Sequence, residues 1–161
     1  MSVLIYSGLG IATLWLQLTV APAIAPFGVV PNLLLLGVIV AGVRWQDPWL
    51  FIYAAAAGLA LDVFTHGMLG VFGISFFVVS FAARIAGFAI YENSLLTTAL
   101  LAVPLSLLEG VVSLTILEFL DPGLPWWLWL FQKIVPVSLY HGVLAAVLVP
   151  VLERIERRPR G

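Results

Sequence analysis

Cysteine is absent from this chain, which excludes disulfides, thiolate nucleophiles, Fe–S clusters and cysteine-based zinc sites. Charge is nearly as scarce. Only 9% of the 161 residues are Asp, Glu, Lys or Arg, against roughly 25% in a soluble domain. Seven cations and eight anions leave a net charge of −1, so no broad basic surface is available for nucleic acid. Enzyme signatures are also missing: there is no H-E-x-x-H metal site, no G-x-S-x-G nucleophile elbow and no phosphate-cradling loop. The two histidines stand far apart, and Asp62 has no neighbouring carboxylates with which to hold Mg²⁺ for lipid phosphate chemistry. Neither catalysis nor a cofactor is expected.

Apolar residues make up 63% of the chain. That composition predicts an integral membrane protein, an all-α compact bundle of about six transmembrane helices forming a single domain over residues 1–161. The spans are expected near residues 3–22, 28–43, 48–65, 68–90, 95–119 and 126–151, with Pro31 and Pro48 as first-turn residues opening the second and third. The first span ends in small residues at Ala21, Ala23 and Ala25, as a signal peptide would. It lacks a basic start and is long for such a segment, so it is read as a helix that stays. Arg44, Arg84, Arg154, Arg157, Arg158 and Arg160 fall on one side of this topology, which places both termini and a short basic tail in the cytoplasm. Trp126, Trp127 and Trp129 would mark the outer interface, and Trp45 and Trp49 the inner one.

One stretch organises the rest. From Gly58 to Gly73 the chain reads GLALDVFTHGMLGVFG, a carboxylate set in an apolar run. At helical spacing Ala54, Gly58, Asp62 and His66 share a face, and a carboxylate at mid-membrane must turn inward to a partner. Gly67, Gly70 and Gly73 then suit a tight reversal into a closely packed second helix. Further small residues offer packing seams: Gly8 with Ala12, Gly37 with Ala41, and Gly73, Ser80 and Gly87 at steps of seven. Deeper in the spans lie Glu109, Lys133 and His141. Glu109 is expected to pair with Lys133, with His141 as a second candidate partner. Read functionally, Asp62, Glu109, Lys133 and His141 would form an ion relay; read structurally, they form an internal network that fixes helix register.

Two segments carry a likeness. Pro31-Asn32 followed by four leucines is similar to the segment with which the MreD family of bacterial rod-shape-determining membrane proteins opens its second span. Gly58-Leu59-Ala60-Leu61-Asp62, followed by Gly67, Leu69 and Gly70, resembles that family's G-x-x-x-D block with its downstream L-G. Phe64, Thr65 and His66 depart from the smaller residues more usual there. The resemblance implies a non-enzymatic component of the cell-elongation machinery in the inner membrane. It would bind MreC through a transmembrane helix and work with MreB, RodA and penicillin-binding protein 2. It also implies a fold similar to the S components of energy-coupling-factor transporters, so a small-molecule binding or uptake subunit is the alternative, with a pocket near Asp62 and Lys133. Pro31, Asn32, Ala54, Gly58, Asp62, Gly67, Gly70 and Gly73 are the candidate partner or helix-packing residues, and Glu109, Lys133 and His141 the candidate polar network.

Overall fold

The structure is a computed structural model that describes residues 2–25, 30–44, 47–65, 68–89 and 95–156. Trp45, His66, Gly67 and the arginines beyond residue 156 therefore lie outside the described residues. The elements are α1 (Ser2–Thr19), α2 (Leu33–Arg44), α3 (Leu50–Phe64), α4 (Val71–Ala89), α5 (Leu95–Leu120), the short α6 (Trp126–Trp129), a π-helical turn (Leu130–Ile134) and α7 (Val135–Glu156). No strand occurs among the described residues. Three helical stretches, Val71–Ala89, Leu96–Leu120 and Trp126–Leu148, are long and apolar enough to cross a membrane. The chain is an all-helical membrane protein.

Helix α2 is apolar on every side because it runs through the middle of the bundle. It packs against α1, α3, α4, α5 and α7, and Leu34, Leu35, Leu36, Val38, Ile39 and Val43 are all buried. Its 12 residues span only ~18 Å, well short of a ~30 Å hydrocarbon core. Such a helix has its start inside the protein, where its free N–H groups need protein partners. Helix α3, at 15 residues, is also short, and it pairs closely with α4. On α4 the buried residues Ser75, Phe76, Val79, Ser80, Ala83 and Gly87 recur at helical spacing, while Ile74, Phe77, Phe81, Ile85 and Phe88 face outward. That outward stripe is the face lipid would wet. The expected seam of Gly73, Ser80 and Gly87 does point into the bundle. Gly8 and Ala12 do not: both are exposed, and a Cβ added to Gly8 would meet nothing.

Two other details depart from expectation. Pro31 and Pro48 precede their helices by two residues instead of opening them, since Asn32 takes the capping position before α2. The last expected span, 126–151, is not one continuous α-helix, because the π turn interrupts it just before Pro136. Proline has no N–H for the carbonyl four residues back, and its ring crowds that carbonyl; a wider turn there relieves both problems. By contrast α5 runs straight through Pro104, whose ring is exposed.

Candidate functional site: two buried helix starts and a polar cavity

The first four N–H groups of a helix have no partner within it, and in hydrocarbon each would be costly to leave free. At α4 the capping position is Gly70, which has no side chain to offer. Asp62 supplies the cap from the neighbouring helix instead. Its Oδ2 accepts from the N–H of Gly70 at 2.8 Å and of Gly73 at 3.3 Å, and its Oδ1 accepts from Phe72 at 3.1 Å. The remaining N–H, of Val71, reaches the carbonyl of Met68. A carboxylate at a helix N-terminus is also favoured by the helix dipole, so the charge is compensated although Asp62 is 1% exposed.

This arrangement explains the glycines around it. Gly58 lies one turn before Asp62, and its Cα faces the first turn of α4 so closely that an added Cβ would run into the carbonyl of Phe72 and sit 2.7 Å from the Cα of Gly73. Without a side chain at 58 the two backbones approach, and Asp62 can reach. Gly70 has φ +99°, a left-handed conformation that favours glycine. Gly73 is less demanding, since a Cβ there would press on the Leu59 side chain at 3.0 Å and reach its backbone nitrogen only at an ordinary 3.7 Å. Ala54, a turn below Gly58, is fully buried in the core.

The start of α2 is satisfied by three different side chains. Asn32 caps it in the ordinary way, its Oδ1 accepting from Leu35 N–H at 3.0 Å. Gln17 of α1 accepts from Leu33 N–H at 2.6 Å and donates to the Pro31 carbonyl at 3.0 Å. The backbone N–H of Asn32 itself donates to Nε2 of His141 at 2.7 Å. An Nε2 that accepts carries no proton, so the imidazole proton resides on Nδ1, which faces Ser106 Oγ at 2.5 Å. His141 is thereby neutral and fully occupied.

Glu109 is not paired with Lys133, contrary to expectation. Its Oε1 accepts from Ser113 Oγ at 2.8 Å, and Ser113, with its proton so committed, can only accept from Ser75 Oγ at 2.8 Å; the single Ser75 proton is shared between Ser113 and the Val71 carbonyl. A hydroxyl chain thus ties α5 to the first turn of α4. Nor is His141 the partner of Glu109, since both its ring nitrogens are engaged elsewhere. Lys133 sits on the π turn, with Nζ 4.6 Å from the centre of the Trp129 ring, a cation–π contact. Glu109, Lys133 and His141 nevertheless line one cavity of about 180 Å³, together with Asn32, Ser113 and Trp129. This cavity lies at Lys133, and Asp62, bonded to the start of α4, does not line it.

Gln17, Ser106, Ser113 and Ser75 are working residues that the sequence reading did not single out. Gln17 had a signal, being an amide inside an otherwise apolar helix. The serines had none, because hydroxyls in membrane helices ordinarily bond to their own backbone. No family model, no curated protein and no solved structure matches the chain.

Proposed function

We propose that the chain is a non-enzymatic component of the bacterial cell-elongation (rod) complex, of the MreD kind. In this reading it lies in the inner membrane as six crossings with both termini cytoplasmic, and its fold is similar to that of the S components of energy-coupling-factor transporters. It binds the transmembrane helix of MreC and, alongside MreB, RodA and penicillin-binding protein 2, helps control cell shape and lateral peptidoglycan synthesis. The observation that carries this reading is where the buried polar groups are used. Asp62, Glu109 and His141 each bond to a helix start or to a hydroxyl on their own or another helix of the chain. Such groups set the register of a rigid bundle, leaving shape and apolar surface for a partner to recognise. The two segments that resemble the family are also the two that build the helix starts, Pro31-Asn32 at α2 and Gly58 to Gly70 at α4.

The test is rescue and capture. In rod-shaped bacteria depleted of their own MreD, expression of this chain is expected to restore rods, and MreC should co-purify with it from detergent-solubilised membranes. Round cells with the chain present in the membrane, and no MreC in the eluate, would contradict the proposal. The cavity favours a second reading, a small-molecule binding or uptake subunit, in which a soluble ligand raises the melting temperature.

A further inference from the structure

Arg84 is the one charged residue on α4. It stands on the outward side of the helix, half-buried among the exposed Phe81, Ile85 and Phe88. Two rings flank its guanidinium, Phe51 of α3 at 5.4 Å and Phe88 at 5.7 Å from Cζ to ring centre. Such contacts attract the cation but offer its five N–H groups no lone pair. Among the described residues no ion pair or hydrogen bond takes them up. Asp62, the acid of α3, is engaged at the far end of α4, and Asp47 accepts from the Trp49 N–H at 3.0 Å. The depth of Arg84 follows from its neighbour. Ala83 packs on Gly42, where an added Cβ would fall 2.7 Å from its own, and Gly42 is two residues before Arg44 at the end of α2. Arg84 therefore lies level with the α2–α3 connection, where Arg44 and Asp47 mark the edge of the hydrocarbon.

From this geometry we infer that Arg84 and the α3–α4 face beside it bind an anionic phospholipid of the phosphatidylglycerol class. The phosphodiester oxygens accept from the guanidinium, a planar fork suited to bidentate contact, while Phe51 and Phe88 hold it in place. The acyl chains then run from Arg84 toward the Gly70 end of α4. They pass Phe81 and Phe77, whose rings stand 6.3 and 5.8 Å from that of Phe51, and enter a shallow apolar groove between Ala55, Leu59, Ile74 and Phe77. Phe77 and Ile74 lie ~10 and ~15 Å along the helix from Arg84, about the depth of one leaflet of a ~30 Å core. Headgroup and tails thus sit at the depths a bilayer gives them. Charge selects the lipid. Phosphatidylethanolamine would bring its ammonium beside Arg84, where no carboxylate of α3 or α4 receives it, whereas a glycerol headgroup carries no cation. The groove selects a lipid over a free phosphate ester, because a soluble molecule leaves that surface uncovered.

The inference is independent of the rod-complex reading and has its own test. Detergent-purified protein is mixed with phosphatidylglycerol or phosphatidylethanolamine of equal chain length, and retained lipid is counted by native mass spectrometry. Phosphatidylglycerol should be retained preferentially. Arg84→Met, which keeps an unbranched apolar stem on the lipid-facing side, should weaken its retention about tenfold, the effect of one lost charged hydrogen bond. Arg84→Lys keeps the charge without the fork and should fall between. Basic tails also attract anionic lipid, so the series is repeated on Arg157→Gln/Arg158→Gln, in which the preference should persist. Equal retention of the two lipids by the unsubstituted protein, unchanged retention in Arg84→Met, or loss of the preference in the tail variant overturns the assignment. So does glycerophosphoglycerol, the headgroup without chains, if it raises the melting temperature as much as the lipid does, since the occupant is then a soluble phosphate ester. If Arg84→Met does not fold, the lipid comparison on the unsubstituted protein and on the tail variant still decides.

Discussion

His141 accepts the backbone N–H of Asn32 at 2.7 Å across 109 positions of sequence, so the last long helix completes the hydrogen bonding of the second. The same asparagine uses its side chain for a different purpose, capping Leu35. Two separate atoms of one residue thus serve two separate bonds.

That separation can be measured. Asn32→Ala removes the cap but leaves the backbone N–H on His141, and should cost about 1 kcal/mol. His141→Ala leaves Asn32 N–H and Ser106 unpartnered beside a new void, and should cost about 3 kcal/mol or more. Because different atoms are involved, the double variant should equal the sum to within about 0.5 kcal/mol. Thermal or denaturant unfolding in detergent reads all three. A large coupling would show that the side chain of Asn32 also positions the imidazole.

Asp62 answers three N–H groups, and its replacements should rank by how many they can still answer. Asparagine in place of Asp62 keeps one carbonyl oxygen, able to serve Gly70 and Gly73, while its amide opposes Phe72; one unsatisfied donor costs about 1–3 kcal/mol. Leucine at 62 answers none, so Asp62→Leu should fail to accumulate in membranes. Comparable folded yield from the two variants would contradict the capping role.

Steric demands distinguish the glycines. Gly58→Ala drives a methyl into backbone, which cannot swing away, and is expected to lower stability by about 3 kcal/mol. Gly73→Ala presses on the Leu59 side chain rather than closely on backbone, and should cost about 1 kcal/mol. Melting temperatures of the purified variants decide the order, and a reversed order would place the α3–α4 contact elsewhere.

Ser113→Ala should destabilise more than Ser75→Ala. The first strips Glu109 of its donor and exposes a buried carboxyl to apolar surroundings, at about 1–3 kcal/mol. The second removes only the far end of the chain and leaves Glu109 bonded. Equal losses would mean that Glu109 is satisfied by another group.

Much of this was legible from residue types alone. Helices fall where the apolar runs predict them, and Asp62 with Gly58 and Gly70 stood out because a carboxylate and close-packed glycines in hydrocarbon require a reason. What could not be read was the partner. A carboxylate in a membrane helix invites a cation, and Lys133 was the natural candidate for Glu109; backbone N–H groups of a neighbouring helix start leave no mark in sequence. The π turn was hidden for a related reason, since Pro136 signals trouble with a hydrogen bond but not whether the helix kinks, breaks or widens. Orientation of the serines depends on helix rotation, which a period-free apolar sequence does not specify.

The claim beneath these predictions is that the buried ionisable groups hold the bundle together and do no chemistry of their own. The most direct measurement sets fold against function for Asp62→Asn, Glu109→Gln and His141→Gln, scoring rescue of rod shape in MreD-depleted cells beside the melting temperature of each purified variant. Every variant that keeps most of its thermal stability is predicted to restore rods. A variant that melts like the unsubstituted protein yet leaves the cells round would contradict the claim, because its side chain would then be acting beyond the fold.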